Sequence, residues 1–183
     1  MIRNIFSWFA NLYGWNLYDF LRGADCEGFE TMSSRFPLIG IVLFCFVVMV
    51  FALYYFLPHA RFNKLPSWMI VTGVVGLFCF FWGFGYTTSQ QSAIPAFQLY
   101  GIENVEAPYD ETGEQMESPS CDQLVPRDGA VPQIGANNFV MFGISSMIIG
   151  IVLFFILSIV FKRWSDNCKD TPWTSIWPKR NNE

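Results

Sequence analysis

Three long stretches of the chain contain no charged residue, and the charged residues gather between them. The stretches are Phe36–Leu57, Trp68–Tyr86 and Phe139–Phe161, of 22, 19 and 23 residues. A helix needs about 20 such residues to cross a hydrocarbon core about 30 Å thick. Membrane β-strands are about half as long and alternate in polarity, so they do not fit. The pattern predicts an all-α membrane protein with three transmembrane helices.

The N-terminal segment 1–35 shows a different pattern, with apolar residues at helical spacing. We expect an amphipathic helix that stops at Gly23, with Arg22 favourable in its last turn. Two arrangements remain open. The helix lies on the outer membrane surface, which we favour, or it forms a fourth transmembrane span that contains several polar residues. The apolar face comprises Ile2, Ile5, Phe6, Phe9, Leu12, Tyr13, Leu17 and Phe20, and the polar face comprises Arg3, Asn4, Ser7, Asn11, Gly14 and Asp19.

Charge asymmetry between the connecting segments predicts the orientation. Lysine and arginine accumulate in cytoplasmic loops. The hinge 58–67 carries Arg61 and Lys64 and no acid, and the tail 162–183 is also basic, whereas loop 87–138 carries Arg127 against eight acids. We therefore expect the hinge and C-terminus in the cytoplasm and the acidic loop outside, in a multi-pass protein of the bacterial inner membrane. The tail's basic residues are Lys162, Arg163, Lys169, Lys179 and Arg180, and the loop's acids are Glu103, Glu106, Asp110, Glu111, Glu114, Glu117, Asp122 and Asp128.

Composition supports the membrane assignment and excludes two other classes. The chain is 52% hydrophobic and only 14% charged, whereas soluble domains are about 25% charged. A nucleic-acid-binding protein is not expected, because the sequence has no basic stripe. Loop 87–138 contains five prolines and reads as irregular. Because it is long for a connection without structure, we expect it to pack on itself or on a partner.

The cysteines gain meaning from the predicted topology. Cys26 and Cys121 are the two that fall on the outer side, where oxidising conditions favour a disulfide between them. The alternative is two free thiols. Cys45 and Cys79 lie within spans, and Cys168 lies in the tail. No histidine accompanies the outer cysteines, so a metal site is not expected.

Small residues form a narrow face on each of two spans. In the second span they recur at steps of four, three and four residues, and the third span has a similar face. Small faces let helix backbones approach closely in lipid, so packing within one subunit is one interpretation. The other is that such a face, repeated around an oligomer, lines a narrow pore that gates by dewetting. The residues are Thr72, Gly76, Cys79 and Gly83 on the second span, and Gly143, Ser146 and Gly150 on the third.

Residues that would carry catalysis or coupled transport are not recognisable. No charged residue or histidine lies within a span, which leaves a proton relay without visible groups. There is no zinc-binding His-Glu pair, phosphate-cradling glycine loop or Ser/His/Asp set. His59 fits an interfacial role better than a catalytic one. The acidic run 110–114 does not match a calcium-binding loop and reads as a solvated turn. We expect neither an enzyme nor a cofactor.

The stretch from Tyr54 to Trp68 reads YYFLPHARFNKLPSW. Its Tyr-Tyr, His-x-Arg-Phe-Asn and Trp order resembles small multi-span membrane proteins of Bacteroidota, over about the first ninety residues. The resemblance implies a membrane location and carries no activity.

These features favour a non-enzymatic subunit of an oligomeric membrane assembly. The first expectation is a homo-oligomeric small pore or ion channel. The alternative is a structural or anchoring subunit of a larger envelope complex, which binds a protein partner through the acidic loop or the tail. Trp173 and Trp177 lie one helical turn apart in that otherwise polar tail. We expect them to dock at the lipid headgroups or into a partner; the alternative is an unstructured tail.

Overall fold

The structure, a computed structural model, describes residues 2–26, 30, 32–56 and 65–161. Most of the predicted hinge and the whole tail, with Cys168, Trp173 and Trp177, therefore lie outside the described residues. The helices are α1 (Ile2–Ser7), α2 (Ala10–Tyr13), α3 (Trp15–Arg22), α4 (Phe36–Phe56), α5 (Leu65–Ser89), α6 (Ala96–Tyr100) and α7 (Ala136–Phe161); two short strands are β1 (Val105–Glu106) and β2 (Val125–Pro126).

Three helices, α4, α5 and α7, are long and apolar enough to cross a membrane. Their positions confirm the prediction of three long apolar helices. The second runs three residues further at each end than the expected Trp68–Tyr86. At its C-terminal end the hydroxyls of Thr87 and Thr88 donate to the carbonyls of Gly83 and Phe84, at 2.9 and 2.8 Å. Threonine satisfied in this way continues an apolar helix beyond the point where side-chain polarity suggests its end.

The third long helix begins at Ala136 rather than at Phe139. Its first turn is fixed by Asn138, whose Oδ1 accepts a hydrogen bond from the Gly135 backbone N–H at 3.0 Å. The Asn138 N–H donates in return to the Gly135 carbonyl, also at 3.0 Å. This reciprocal pair resembles a capping box and starts the helix before the apolar run does.

Side chains of α4, α5 and α7 (the bundle) pack into one buried cluster at the end where α4 finishes and α5 begins. Val47 and Phe51 of α4 meet Val75 of α5 and Phe154 of α7, all of them buried. The rings of Phe51 and Phe154 meet edge to face at 6.4 Å. Aromatic rings of α4 and α7 thus contact each other at this end of the bundle.

The N-terminal segment is three short helices instead of the single amphipathic helix expected. The backbone turns at Gly14, whose φ of +94° is open to glycine and rarely to other residues. The longest of the three, α3, has eight residues and is therefore about 12 Å long. No described part of this segment forms a fourth spanning helix. Gly23 ends α3 in the left-handed conformation with Arg22 in the last turn, as predicted.

The buried side of these short helices covers one end of the bundle. Phe6 stacks between Phe36 of α4 and Phe142 of α7, at centroid distances of 5.3 and 5.4 Å. Leu12, expected on the apolar face, is exposed instead with Trp8 and Trp15. Phe6, Tyr13, Leu17 and Phe20 of the predicted face are buried as expected, so the helical period was right for much of the face.

Residues 90–135 form a second layer on the same end of the bundle. The segment is mostly irregular, as expected, and contains α6, two single turns of 3-10 helix and the antiparallel pair β1–β2. It packs on itself through backbone hydrogen bonds, for example from Gln133 N–H to the Leu99 carbonyl at 2.6 Å. We call residues 2–26 and 90–135 together the headpiece.

Candidate functional site

The small-residue faces predicted on α5 and α7 meet each other within one chain. A Cβ placed on Gly83 would lie 2.8 Å from the Cβ of Ser146 and 3.4 Å from the Cα of Gly143. Such separations leave no room for a side chain, so the two backbones are as close as glycine allows. We call this contact the seam; its members are Gly76, Cys79, Gly83, Gly143, Ser146 and Gly150.

The seam continues along both helices, and the kind of atom that faces each glycine changes along it. A Cβ on Gly150 would come within 3.0 Å of the Cβ of Cys79. At Gly76 the nearest atom is the Cδ1 of Ile151, also at 3.0 Å. That methyl is the end of a flexible side chain and can move. Beside the Ser146 hydroxyl, the neighbours of Gly83 include the Cβ of Ser146 and the Cα of Gly143, which cannot. The headpiece-proximal half of the seam is therefore its rigid part.

Thr72 continues the sequence pattern of the seam with a different role. It is half-buried, and its hydroxyl donates to the carbonyl of Trp68 in its own helix at 2.9 Å. The polar group is thereby satisfied inside the helix. The Thr72 hydroxyl therefore needs no hydrogen-bond partner on α7.

The chemistry that the seam offers is limited to packing. Its side chains carry no charge, and the Ser146 hydroxyl is buried without a hydrogen-bond partner among the described residues. Within residues 2–26, 30, 32–56 and 65–161 no group of three His, Cys, Asp or Glu side chains is placed to hold a metal ion. The arrangement holds two helices together, and an ion would need them to separate before it could pass between them.

Cys26 and Cys121 are joined by a disulfide across 95 residues of sequence, with their Cα atoms 5.7 Å apart. The bond ties the end of the N-terminal segment to the acidic loop, as predicted. Cys45 is a free thiol on an exposed face of α4, and Cys79 is buried in the seam. Of the cysteines the structure describes, the bonded pair is thus confined to the headpiece.

Charged groups in the headpiece and next to it are held by local partners. The Arg35 guanidinium lies 4.2 Å from the ring centroid of Phe20 and donates to the Phe20 carbonyl at 3.0 Å. Burial raises the pKa of the Asp19 carboxyl, and the nearby Arg22 opposes that shift. Hydrogen bonds from the Thr112 hydroxyl and the Glu114 N–H lower the pKa of Asp110. The acidic run 110–114 is thus an exposed, internally hydrogen-bonded turn.

Sequence reasoning missed the residue that joins headpiece to bundle. Asn138, expected at the end of an irregular loop, lies in the first turn of α7 and donates from Nδ2 to the Tyr13 carbonyl at 2.8 Å. The same nitrogen fills the space beside Gly14, where a Cβ would meet it at 2.7 Å. A signal was present, since an Asn three residues after a Gly and just before an apolar run is typical of a helix start.

No protein-family model, curated protein or solved structure matches this chain.

Proposed function

We propose that this protein is a non-enzymatic integral membrane subunit that anchors its headpiece on the outer face of the bacterial inner membrane and works in a larger assembly. The observation that carries the proposal is the seam. Small-residue faces that were candidates for pore lining are used to hold α5 against α7. The outward-facing surface of the bundle is apolar. Its exposed residues include Leu38, Ile41, Met69, Leu77, Val152 and Ile156. Such a surface suits lipid or another apolar helix.

The headpiece also supports an anchoring role. It is held by a disulfide and covers one end of the bundle, so the spans fix its position relative to the bilayer. Trp8 and Trp15 of the short N-terminal helices are 79% and 53% exposed. Tryptophan at a membrane boundary sits at the headgroup level. We propose that α1–α3 rest on the outer membrane surface through these two rings.

The proposed orientation puts the headpiece outside and residues 58–67 and 162–183 in the cytoplasm. It rests on the charge asymmetry of the loops and on the oxidising conditions that a disulfide needs. Single cysteines at Gly113 and Asn63, in a variant without the free native thiols, test it with an impermeant maleimide on intact cells. Labelling is expected at position 113 alone. Labelling at both positions, or only at position 63, would contradict the orientation.

The mass and composition of the detergent-extracted complex test whether the protein works in a larger assembly. Tagged protein extracted from its native membrane in mild detergent should carry foreign chains at fixed stoichiometry, through the acidic loop or through Trp173 and Trp177. Replacing both tryptophans with alanine should reduce that capture if the tail is the contact. Recovery of a closed ring of identical chains, with nothing else bound, would favour the pore instead.

A homo-oligomeric pore is the second candidate, and one observation favours it. Gly73 and Gly85 lie on the exposed side of α5, and nothing lies within 4 Å of a Cβ placed on either of them. A helix of a second copy has room to approach there. Purified protein in planar bilayers would then conduct, and Gly73→Leu would lower the current. Val74→Leu, at the neighbouring exposed position, is the matched control. If wild-type protein produces no current in the bilayer, the pore hypothesis is rejected.

A further inference from the structure

The headpiece contains a cleft of about 500 Å³ between α3, α6 and the segment that leads into α7. Its size falls within the range of roughly 300–1,000 Å³ common for small-molecule sites. Polar residues from three parts of the chain converge on it, and the disulfide forms one edge. The lining residues that matter here are Asp19, Asp25, Phe97, Gln98, Ile102 and Glu103.

Gln98 is the most informative of these residues because it is buried and only half satisfied. Its side chain has 4% relative exposure. The carboxamide nitrogen donates to the Ala24 carbonyl at 3.2 Å, which fixes the orientation of the group. The carboxamide oxygen has no hydrogen-bond partner among the described residues. A buried acceptor in this state is costly, and a ligand that brings an N–H donor removes the cost.

The charges around the cleft specify the sign of that ligand. Asp19, Asp25 and Glu103 line it, and none of its described lining residues is basic. Arg22, which is not a lining residue, pairs with Asp19, with a guanidinium nitrogen 3.5 Å from a carboxylate oxygen. Three carboxylates in a lining without a basic side chain make the cleft attractive to cations.

The lining also contains polar Asn16 and Gln133, which hydrogen-bond to each other, and two large apolar side chains. Phe97 is buried and Ile102 is exposed at the rim. They offer contact to a hydrocarbon body beside the polar groups. A hydrated metal ion would not use these walls, and the described residues hold no group of His, Cys, Asp and Glu suited to a metal ion.

We propose that the cleft binds a small organic cation: a primary ammonium on an aliphatic body. The ammonium donates to the oxygen of Gln98 and pairs with the carboxylates, while the body lies against Phe97 and Ile102. Occupation would bridge α3 to α6 beside Cys26. The site does not depend on whether the protein anchors a complex or forms a pore.

Isothermal titration of the full-length protein in neutral detergent with cadaverine tests the proposal. Saturable binding is expected for cadaverine and not for pentanediol, which has the same body and no charge. Gln98→Met keeps the size of the side chain and removes the acceptor, so affinity should fall about tenfold or more. Its melting temperature, read alongside, shows whether the headpiece stays folded.

Glu103→Gln keeps the test decisive if Gln98→Met does not fold. Glu103 is exposed, so this change leaves the fold in place and should still weaken cadaverine binding several-fold. Glu111→Gln, an exposed acid outside the cleft, is the matched control and should bind like wild type. Absence of saturable binding, equal affinity in wild type and Glu103→Gln, or equal binding of pentanediol would each overturn the proposal. Binding of calcium without binding of cadaverine would overturn it as well.

Discussion

The bundle and the headpiece of this protein are held together in opposite ways. The bundle consists of three helices of 21, 25 and 26 residues, and its closest contact is the uncharged seam. The headpiece has no described helix longer than eight residues and uses a disulfide, polar side chains and glycines with positive φ. Gly14, Gly23 and Gly101 are three of these glycines.

Length of secondary structure explains the difference. A long helix satisfies its own backbone groups, so its neighbours need only match its shape. A helix of four or five residues leaves most of its backbone groups without partners inside the helix. Side chains such as Asn138 and Gln98 supply those partners in the headpiece. Each region should therefore fail under a perturbation that leaves the other intact, and four experiments test this.

Removal of the disulfide should have the largest effect. The double variant Cys26→Ala, Cys121→Ala should lower the unfolding free energy of the headpiece by about 2–4 kcal/mol. The chain-entropy model gives about 4–5 kcal/mol for so long a loop, but the loop contains the long helices α4 and α5, which already constrain it. Hydrogen exchange should accelerate in peptides from 2–26 and remain unchanged in those from 65–89. Cys45→Ala is the control, and equal acceleration in both regions would contradict the separation.

A larger side chain in the seam should destabilise the bundle and leave the headpiece unchanged. Gly83→Leu would press against Ser146 and Gly143, and overpacking of this kind costs about 1–3 kcal/mol. Gly85→Leu, two residues away in the same helix, points into open space and should be neutral or slightly stabilising. Resistance of the bundle to unfolding in sodium dodecyl sulfate measures both. Similar values for the two variants would mean that the seam is not tightly packed.

Substitution at the junction between headpiece and bundle, where Gly14 meets Asn138, should have a smaller effect on stability. Gly14→Ala requires an alanine at φ +94° and 2.7 Å from the Asn138 amide, and such backbone strain costs on the order of 1–2 kcal/mol. Gly113→Ala, at φ +81° with nothing within 4 Å, is the control for strain alone. Exchange of the α1–α3 amides should increase more in Gly14→Ala. If both variants behave alike, Asn138 does not clamp the junction.

The smallest effect concerns pH. Since burial raises the pKa of Asp19, the folded headpiece holds that proton more tightly than the unfolded chain does. The associated stability is present at low pH and is lost as pH rises through the raised pKa. Asp19→Asn should therefore melt slightly higher than wild type at pH 7, and the difference should shrink towards pH 4. A difference that is constant with pH would mean that Asp19 titrates normally.

The parts that the sequence predicted are those in which one property repeats over many residues. Three charge-free runs gave three long helices, and the small residues of α5 and α7 could be seen at helical steps before any contact was known. The Cys26–Cys121 pair followed by elimination from topology. Errors arose where single residues decide. Gly14 was counted in a polar helical face although its backbone turns the chain, and Asn138 was assigned to a loop although it begins α7.

Gln98 marks the limit of such reasoning. Its partner carbonyl, on Ala24, is 74 residues away, and both residues lie beside elements too short to leave a periodic signal. The cleft depends on how α6 is placed against α3, and the hydrogen bond from the Gln98 side chain to the Ala24 carbonyl helps to fix that placement. Contacts of that kind become visible only once the chain is folded.

The separation of 95 residues between Cys26 and Cys121 also sets a delay between the synthesis of the two cysteines. Ribosomes add about 5–20 residues per second, so the second thiol emerges roughly 5–20 s after the first. During that interval α4 and α5 are made, and the Cys26 thiol stays open to any other partner that reaches it. Expression that outpaces this pairing should accordingly yield chains cross-linked through Cys26.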